Sequence, residues 1–326
     1  MRLSHPVDDG GYSEIRKSVE HLFDAAGEGP SLAELDEFGI FDMFDAVPDV
    51  AVPALFEAQG ALLGTGATVE AFVIHGLRGA NAELPPGEIG LLFDVGVQTL
   101  GLAPRATPAA WLYVRPGRAG AFLLPGDAPM MPVASIDPTL RVVKAAVLDE
   151  GVAVLATDTR PECHIYIAIG AQLTGVAEQI LSVARDHARI REQFGRPIAS
   201  FQAVQQLLAD AAVATASGQS LVRAALAELR VDRGAKRAVF AALVAAGAGA
   251  RAYTVAARVG LQVLGAVAYT IEHEFAGYFR RGQLLAHLVS HSDLDARVAA
   301  AACAAGVPEI LPVNSWHRVA EGKAAL

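Results

Sequence analysis

The sequence predicts an α+β fold in three parts: a helical N-terminal domain, a small middle β-barrel domain and a C-terminal four-helix bundle. Three observations predict it. Apolar residues recur at helical spacing early in the chain, short apolar runs between turn residues follow, and long helical stripes occupy the remainder. A chain of 326 residues is long enough for two or three hydrophobic cores. We assign the three domains to residues 1–84, 85–160 and 161–326.

The N-terminal part is predicted to form several short helices between residues 12 and 75. The first apolar residues at helical spacing are Ile15, Val19, Leu22 and Phe23. Proline, glycine and aspartate gather at residues 27–30 and 47–52, and the residue before each proline is disfavoured in the helical region. We therefore expect helix breaks at both places.

The middle part has the pattern of short strands. Apolar runs are separated by turn residues such as Pro116–Gly117 and Pro125–Gly126. The runs occupy residues 111–114, 121–124, 141–147 and 152–155. Strands of this length and spacing predict a small antiparallel barrel or sandwich.

The C-terminal part is predicted to form four long helices. They are expected at residues 165–191, 200–229, 235–264 and 271–289, with Ser200 capping the second and a bend at residues 265–270. Because the connections are short, neighbouring helices should run antiparallel in a bundle.

Composition excludes several classes of function. Lys and Arg number 26 against 35 Asp and Glu, so the formal net charge is −9, which disfavours nucleic acids and anionic membranes as partners. Cys163 and Cys303 lie in no metal-ligand spacing, which argues against a zinc site and fits a cytosolic setting. The charged N-terminus argues against export, and the apolar run at residues 238–250 is too short to span a membrane.

Residues 191–198, with the sequence REQFGRPI, hold the most informative motif. It places a cation (Arg191), an amide (Gln193) and a ring (Phe194) beside a glycine turn at a helix end. Such a set can bind a pyrophosphate and an aromatic ring system, since the guanidinium is a planar, permanently charged fork. The alternative is a solvated helix terminus with a buried Phe194, which on physical grounds alone is the more frequent case.

This motif lies within residues 184–210, which resemble the signature of the acyl-CoA dehydrogenase family almost throughout. Residues 262–274, together with 278–281, resemble the glutamine-glycine segment of that family and the helix after it. Residues 135–141 resemble part of the middle domain in bacterial members. The resemblance implies the acyl-CoA dehydrogenase-like order of an α, a β and a second α domain.

The resemblance also implies a function and a cofactor. It implies FAD, tetramers in which neighbouring subunits complete each flavin site, and α,β-desaturation of an acyl-CoA. Arg191, Gln193 and Phe194 would then contact the adenine and pyrophosphate of a flavin across a subunit interface, and Gln262 and Gly265 would line the cofactor from the other side. An interhelical hydrogen bond is an equally good explanation of Gln262.

The usual catalytic carboxylate of the family is missing, so the catalytic residue stays unknown. Its two common positions correspond to Val289, followed by Ser290, and to Ile165. Glu162 is a weak candidate because its place before a helix favours a cap or a solvated side chain. The Thr-Glu-Pro and Trp-Ile-Thr patterns that contact the flavin ring in the family are also absent, and residues 90–105 do not replace them.

Two weaker patterns carry little weight. His287 and His291 are four residues apart on one predicted helix, but no third ligand has suitable spacing, so we predict no metal site. The sequence Gly64-Thr65-Gly66 looks like a dinucleotide loop without the surrounding βαβ unit.

The leading hypothesis is one subunit of a heteromeric acyl-CoA dehydrogenase, similar to short bacterial members that act on fatty acyl or steroid-derived CoA esters. A second, longer subunit in an α2β2 heterotetramer would supply the base and hold most of the FAD, and an electron-transfer acceptor would reoxidise it. The alternatives are a homomeric enzyme with an unrecognised base, Glu162 or Glu272, and a non-catalytic scaffold of the same fold.

Overall fold

The computed structural model describes residues 9–80, 82–95, 98–145, 153–155, 159–232, 235–289 and 294–306. Within the described residues, helices come first and last along the chain and a seven-stranded sheet lies between them. The helices are α1 (Asp9–Ala26), α2 (Leu32–Glu37), α3 (Ile40–Ala46), α4 (Pro48–Ala61), α5 (Thr68–Arg78), α6 (Pro161–Ile190), α7 (Gln202–Val231), α8 (Lys236–Leu264), α9 (Phe275–Val289) and α10 (Leu294–Ala304). The strands of the large sheet are β1 (Ile89–Val95), β2 (Gln98–Leu102), β3 (Ala110–Val114), β4 (Ala121–Pro125), β5 (Met130–Pro132), β6 (Val142–Ala145) and β7 (Ala153–Leu155).

The first predicted helix break is confirmed, and the second is shorter than expected. α1 ends before residues 27–30, and Ser31 caps α2 by accepting a hydrogen bond from the Glu34 backbone N–H. At the second break only Val47 lies between helices. α4 begins at Pro48. Proline is tolerated at the first helical position because a backbone N–H there would have no partner within the helix anyway.

Pro53 lies inside α4, where a proline normally weakens a helix. Every side chain from Ala51 to Ala61 is buried. A Cβ on Gly175 of α6 would overlap the Glu57 carbonyl of α4, so the two helices approach closely. This packing explains why the helix persists through the proline.

The seven strands form one sheet in the order β5-β6-β2-β1-β3-β4-β7. The prediction of purely antiparallel strands is wrong for one pair, since β1 and β3 run parallel, with Leu91 opposite Leu112. After the β1–β2 hairpin, residues 103–109 carry the chain back to the other edge of β1, so β3 starts in the same direction as β1. β1, β2 and β5 were missing from the predicted strands.

The bundle helices α6 to α9 occur where the sequence predicts them, with boundaries that differ by up to four residues. α6 begins at Pro161, four residues earlier than predicted, so Glu162 lies in its first turn and not before it. The Ser200 hydroxyl donates to the Pro197 carbonyl, and Phe201, not Ser200, is the residue that precedes α7. α9 begins at Phe275, four residues later than predicted, because the Phe275 N–H donates to the His273 ring instead of extending the helix backwards.

α6 and α8 pack closely at the centre of the bundle. A Cβ on Gly249 would lie 2.5 Å from the Gly170 carbonyl oxygen, so glycine on both helices permits the approach. Two stretches, Pro161–Ile190 and Lys236–Tyr269, are long and apolar enough to cross a membrane. Their most apolar windows are 72% and 50% buried within the protein, as expected for core helices of a bundle.

Arg281 of α9 joins the three parts of the chain. Its guanidinium is fully buried and forms an ion pair with Asp137 in the middle domain. It also donates to the Thr139 hydroxyl and to the carbonyls of Leu63 and Gly64, which follow α4. Burial raises the pKa of the Asp137 carboxyl, but Arg281 and Thr139 outweigh this effect and hold the pKa below its usual value.

Candidate functional site

Arg191, Gln193 and Phe194 lie on a short hairpin between α6 and α7. Its strands are β8 (Glu192–Gln193) and β9 (Arg196–Pro197). Phe194 and Gly195, the two turn residues, have φ values of 54° and 77°, as a two-residue type I′ turn requires. Phe194 is 93% exposed, so the expected alternative of a buried ring is wrong.

The hairpin is held against the start of α7 by aromatic contacts. Phe201 lies edge-on to Phe194 with 6.1 Å between ring centroids, and the Arg196 guanidinium lies 4.3 Å from the Phe201 centroid. Arg191 is exposed, and the Gln193 amide donates to the Glu192 carbonyl. The exposed ring and guanidinium therefore sit on a supported turn, where they can contact a ligand seated outside this chain.

Gln262 and Gly265 lie at the same end of the bundle as the hairpin. One apolar cluster joins Ala188 near the end of α6, Ile198 after the hairpin and Val263 near the end of α8. Gln262, next to Val263, is exposed and faces a groove of about 790 Å³ between α7 and α8. Gly265 has φ 65° and ψ −138°, a conformation for which glycine is suited.

The groove beside Gln262 is lined by charged and apolar side chains. Arg251 and Arg258 of α8 lie along it opposite Val213 and Leu221 of α7. Both of these α7 side chains are exposed. The groove therefore has two guanidinium groups on one side and exposed apolar side chains on the other. It adjoins the end of the bundle that carries the hairpin.

The two usual positions of the catalytic base lie in the hydrophobic core. Val289 is fully buried in α9 and Ile165 is buried in α6. Neither position bears a group that can accept a proton. The residues at the two usual carboxylate positions are therefore apolar, as predicted, and they are also surrounded by apolar residues.

Glu162 is buried, which corrects the expectation of a solvated side chain. Its Oε1 accepts a hydrogen bond from the Gly117 N–H at 3.2 Å and lies 3.9 Å from the Arg160 guanidinium. Burial raises the pKa of its carboxyl. These contacts tie the β3–β4 turn to the start of α6. Glu272, the other candidate base, is exposed just before α9.

The structure describes one residue of the histidine pair and all of the Gly64-Thr65-Gly66 loop. His287 is exposed on α9, and its partner His291 lies outside the described residues. Among the residues that the structure describes, no group of three or more His, Cys, Asp or Glu side chains is arranged to hold a metal ion. A Cβ on Gly66 would lie 2.6 Å from the Pro30 carbonyl oxygen, so this loop packs against the connection between α1 and α2.

Glu70 is one of the buried acids that sequence reasoning missed. Glu70 of α5 is 3% exposed and lines a cleft of about 810 Å³ between the N-terminal helices, the middle domain and the bundle, hereafter the three-domain cleft. In the described part of the chain, its Oε2 has no hydrogen-bond partner. The available signal was a lone acid between Val69 and Phe72 in an otherwise apolar run, a pattern that does not by itself distinguish a buried acid from an exposed one.

These residues fit one part of a flavin nucleotide and not the other. The exposed cation, ring and amide at the end of the bundle match a pyrophosphate and an adenine. In the middle domain, the space beside Gly90 is filled by the Trp111 ring, 2.3 Å from where a Cβ would be, and the space beside Gly101 by the Leu91 carbonyl. The space that these two glycines of β1 and β2 leave open is occupied by other atoms of the protein. It is therefore not available to a flavin ring.

Comparison with known proteins agrees with this fold and this motif. The family model described as "Acyl-CoA dehydrogenase, C-terminal domain" matches residues 166–288, which contain the hairpin and Gln262. The acyl-CoA dehydrogenase IpdE2 of Mycobacterium tuberculosis (strain ATCC 25618 / H37Rv) is 34% identical over 158 residues, 48% of this chain and 46% of the relative. FadE34 of the same strain is 29% identical over 238 residues, 69% of this chain and 33% of the relative.

Two solved structures share the whole fold. One, the ChsE4-ChsE5 complex from Mycobacterium tuberculosis, matches with a TM-score of 0.66 and 17% identity, covering 92% of this chain and 97% of the other. The other, described as a Tcur3481-Tcur3483 steroid ACAD G363A variant, has a TM-score of 0.64 and 19% identity, covering 97% and 99%. Identity this low establishes the fold alone.

A bundle with this hairpin, preceded by an α and a β domain, defines the acyl-CoA dehydrogenase class of fold. Over residues 166–288 the chain matches the C-terminal domain of the acyl-CoA dehydrogenase family, and the chain as a whole shares the fold of the solved structures above. The predicted family and fold class are thereby confirmed. The alignments span less than half the length of the two curated relatives.

Proposed function

We propose that this chain is one subunit of an FAD-dependent acyl-CoA dehydrogenase that desaturates an acyl-CoA between its α and β carbons. The observation that carries the proposal is the exposed Phe194 on its supported turn beside Arg191. A 93% exposed aromatic ring in a left-handed backbone conformation costs free energy in the isolated chain, so a partner or ligand that covers it accounts for its presence.

The partner in this proposal is a second acyl-CoA dehydrogenase subunit, in an α2β2 heterotetramer. The apolar surroundings of Val289 and Ile165 support a division in which that subunit supplies the carboxylate base. The ChsE4-ChsE5 and Tcur3481-Tcur3483 structures are heteromeric by their descriptions, which favours such an assembly here. A homomeric enzyme with Glu162 as base is less favoured, because that carboxylate already holds the β3–β4 turn.

When bound, FAD supplies the acceptor for the hydride that leaves the β carbon. In the proposed assembly Arg191 neutralises the pyrophosphate, and Phe194 covers the adenine of a flavin held mainly by the partner subunit. Gln262 donates or accepts a hydrogen bond at the same nucleotide. The proposed partners include an electron-transfer acceptor, which would reoxidise the reduced cofactor. The acyl group is a fatty acyl or a steroid-derived one, the latter favoured by the steroid ACAD description of a structural relative.

Flavin binding by the purified complex tests the proposal. The chain is expressed alone and together with its partner subunit, and bound flavin is measured by visible absorbance. We expect a colourless chain alone and a yellow, active complex with acyl-CoA. Arg191→Ala should weaken flavin binding by the complex about tenfold, since a charge-assisted hydrogen bond is lost.

The matched control is Arg185→Ala. Arg185 is exposed on α6, close to the hairpin in sequence, and bonds only to Ser182 and Asp186 in the described part of the chain. The Arg185→Ala substitution should leave flavin binding and thermal unfolding unchanged. A yellow and active chain without a partner would contradict the heteromeric assembly, and undiminished flavin affinity in Arg191→Ala would contradict the role of the hairpin.

A further inference from the structure

A small cavity, hereafter the five-helix pocket, lies where α3, α4, α5, α6 and α7 meet. Its volume is about 200 Å³, and it shares no lining residue with the three-domain cleft. Phe44, Phe72, Leu226 and Leu229 supply apolar parts of its wall. A cavity of about 150 Å³ is enough to hold benzene, so this pocket has room for one aromatic ring.

Four aromatic rings line the five-helix pocket and contact one another. The centroid of the Phe44 ring lies 5.1 Å from that of Phe72 and 5.5 Å from that of His75. The Phe72 ring meets the ring of His164 edge-on at 4.7 Å. His164 is buried against Gly76, where a Cβ would lie 2.4 Å from its Nε2, so the glycine leaves room for the imidazole. Because aromatic rings attract one another in tilted and edge-on arrangements, these walls favour an aromatic ligand.

His75 offers an open hydrogen-bond acceptor on the wall of the pocket. Its Nε2 lies 2.9 Å from the Asp45 carboxylate. Since a carboxylate only accepts hydrogen bonds, Nε2 carries the proton, and Nδ1 of the neutral imidazole is an acceptor. Among the described residues Nδ1 has no hydrogen-bond partner, and it is not one of the fully buried polar atoms that lack a partner. The pocket therefore presents an accessible acceptor whose tautomer is fixed by Asp45.

The charged side chains that line the five-helix pocket are already paired. Asp45 accepts the hydrogen bond from His75, and Arg230 forms an ion pair with the Asp49 carboxylate. Neither charge is left to neutralise an ion of opposite sign. The pocket therefore suits an uncharged ligand with one hydrogen-bond donor.

We propose that the five-helix pocket binds a small phenol, with the ring against Phe44 and Phe72 and the hydroxyl donating a hydrogen bond to Nδ1 of His75. The pocket lies at the end of α7, beside Leu226 and Leu229, whereas the hairpin precedes the start of that helix. α7 has 30 residues, so roughly 40 Å of helix separates the two places. The phenol site is therefore distinct from the proposed nucleotide contact.

Calorimetry of the full chain with phenol and toluene tests this inference without flavin or partner. The two probes match in size, and only phenol carries a donor. We expect the wild type to bind phenol about tenfold more tightly than toluene, because one hydrogen bond is added. His75→Phe keeps a ring of similar size and removes the acceptor. Its affinity for phenol should fall about tenfold, to that for toluene, and its affinity for toluene should stay the same.

Two further variants serve as controls. His21 is exposed on α1, so His21→Phe should bind both probes like the wild type. Leu229→Phe places an additional ring in the pocket and should abolish the binding of both probes. Thermal unfolding of each variant verifies that it is folded. In wild-type chain labelled with 15N-histidine, phenol but not toluene should shift one histidine ring-nitrogen resonance, a measurement that needs no variant.

Several results would overturn the inference: no binding of phenol, equal affinity of the wild type for the two probes, or an unchanged affinity of His75→Phe for phenol. N-acetyltyrosinamide carries the same phenol on a peptide group and should bind more weakly, since the pocket holds one ring. Tighter binding of this probe would assign the site to a tyrosine of a partner protein and reject the small molecule. Arg191→Ala should bind phenol like the wild type, so the outcome is independent of the proposed function.

Discussion

Phe194 has a backbone conformation that an aromatic residue rarely adopts. Its φ of 54° belongs to the left-handed region, and the following Gly195 continues the same turn. Asparagine and glycine are the usual pair at such turns because both tolerate positive φ. A phenylalanine here therefore indicates selection for the exposed ring rather than for the stability of the turn.

Phe194→Asn should stabilise the chain and impair the complex. We expect the free energy of unfolding of the isolated chain to rise by about 1 kcal/mol, because the left-handed strain is relieved. Flavin binding by the complex should weaken, because the ring is lost. Urea unfolding and flavin titration measure the two effects. Val231→Asn, at an exposed residue that ends α7, should produce neither. A destabilised Phe194→Asn chain would argue against stored strain.

Glu57 is a second buried acid and lies under α1. It accepts a hydrogen bond from the Tyr12 hydroxyl, and Arg223 lies 3.9 Å from its Oε1. Burial raises the pKa of the Glu57 carboxyl to about 7, although Arg223 and Tyr12 act in the opposite direction. Between the unfolded value of 4.5 and this value, the native chain keeps a proton that the unfolded chain loses.

The protonation of Glu57 predicts a specific pH dependence of stability. As pH rises through about 4.5 to 7, the native state should lose stability relative to a Glu57→Gln variant, by on the order of 2 kcal/mol. Urea unfolding at pH 5 and pH 8 measures the difference. Glu14→Gln, an exposed change on α1, should leave the pH profile unchanged. Parallel profiles for the wild type and Glu57→Gln would disprove the raised pKa.

At the scale of elements, the long helices follow from sequence periodicity, and their contacts follow from the placement of glycine. α6 and α8 approach closely where Gly170 meets Gly249, and α4 approaches α6 where Gly60 meets the Gln172 carbonyl. A helical glycine costs about 1 kcal/mol relative to alanine, so these positions are retained for packing. Periodicity predicts that a helix forms, but not which helix faces which glycine.

Two glycines of α8 should respond oppositely to alanine. Gly249→Ala places a methyl 2.5 Å from the Gly170 carbonyl and should reduce the free energy of unfolding by about 2 kcal/mol. Gly247→Ala places its methyl 3.5 Å from Leu294, an ordinary contact, and should increase that free energy by about 0.5 to 1 kcal/mol. Denaturant unfolding measures both. If both variants changed the free energy of unfolding equally, the contact between Gly170 and Gly249 would not limit how closely α6 and α8 pack.

At the scale of the whole molecule, Arg281 connects parts of the chain that are far apart in sequence. Its partners are Asp137 and Thr139 in the segment that resembles bacterial family members, and the backbone at Leu63 and Gly64. Three of these partners, Leu63, Gly64 and Thr139, line the three-domain cleft. Arg281 therefore supports the wall of this cleft through its hydrogen bonds to these residues.

Arg281→Met should destabilise the chain by about 3 to 5 kcal/mol, because it leaves the Asp137 carboxylate buried without its cation. The double variant Arg281→Met/Asp137→Asn should recover part of this loss, since the uncompensated charge is then removed. Arg280→Met is the neighbouring control and should cost less, because the Arg280 Nε has no hydrogen-bond partner in the described structure. Calorimetry of the purified chain measures all three. A loss for Arg281→Met no larger than that for Arg280→Met would refute a joining role.

The amino-acid sequence by itself determined the order of domains, the bundle helices, the glycine turn after α6 and the family, because these depend on local periodicity and turn chemistry. Only the tertiary structure decided that β1 and β3 run parallel, that Glu162 is buried and that Arg281 pairs with Asp137. It also decided that Glu70 faces a cleft made by three domains. Burial and pairing depend on residues distant in sequence, which a local pattern does not contain.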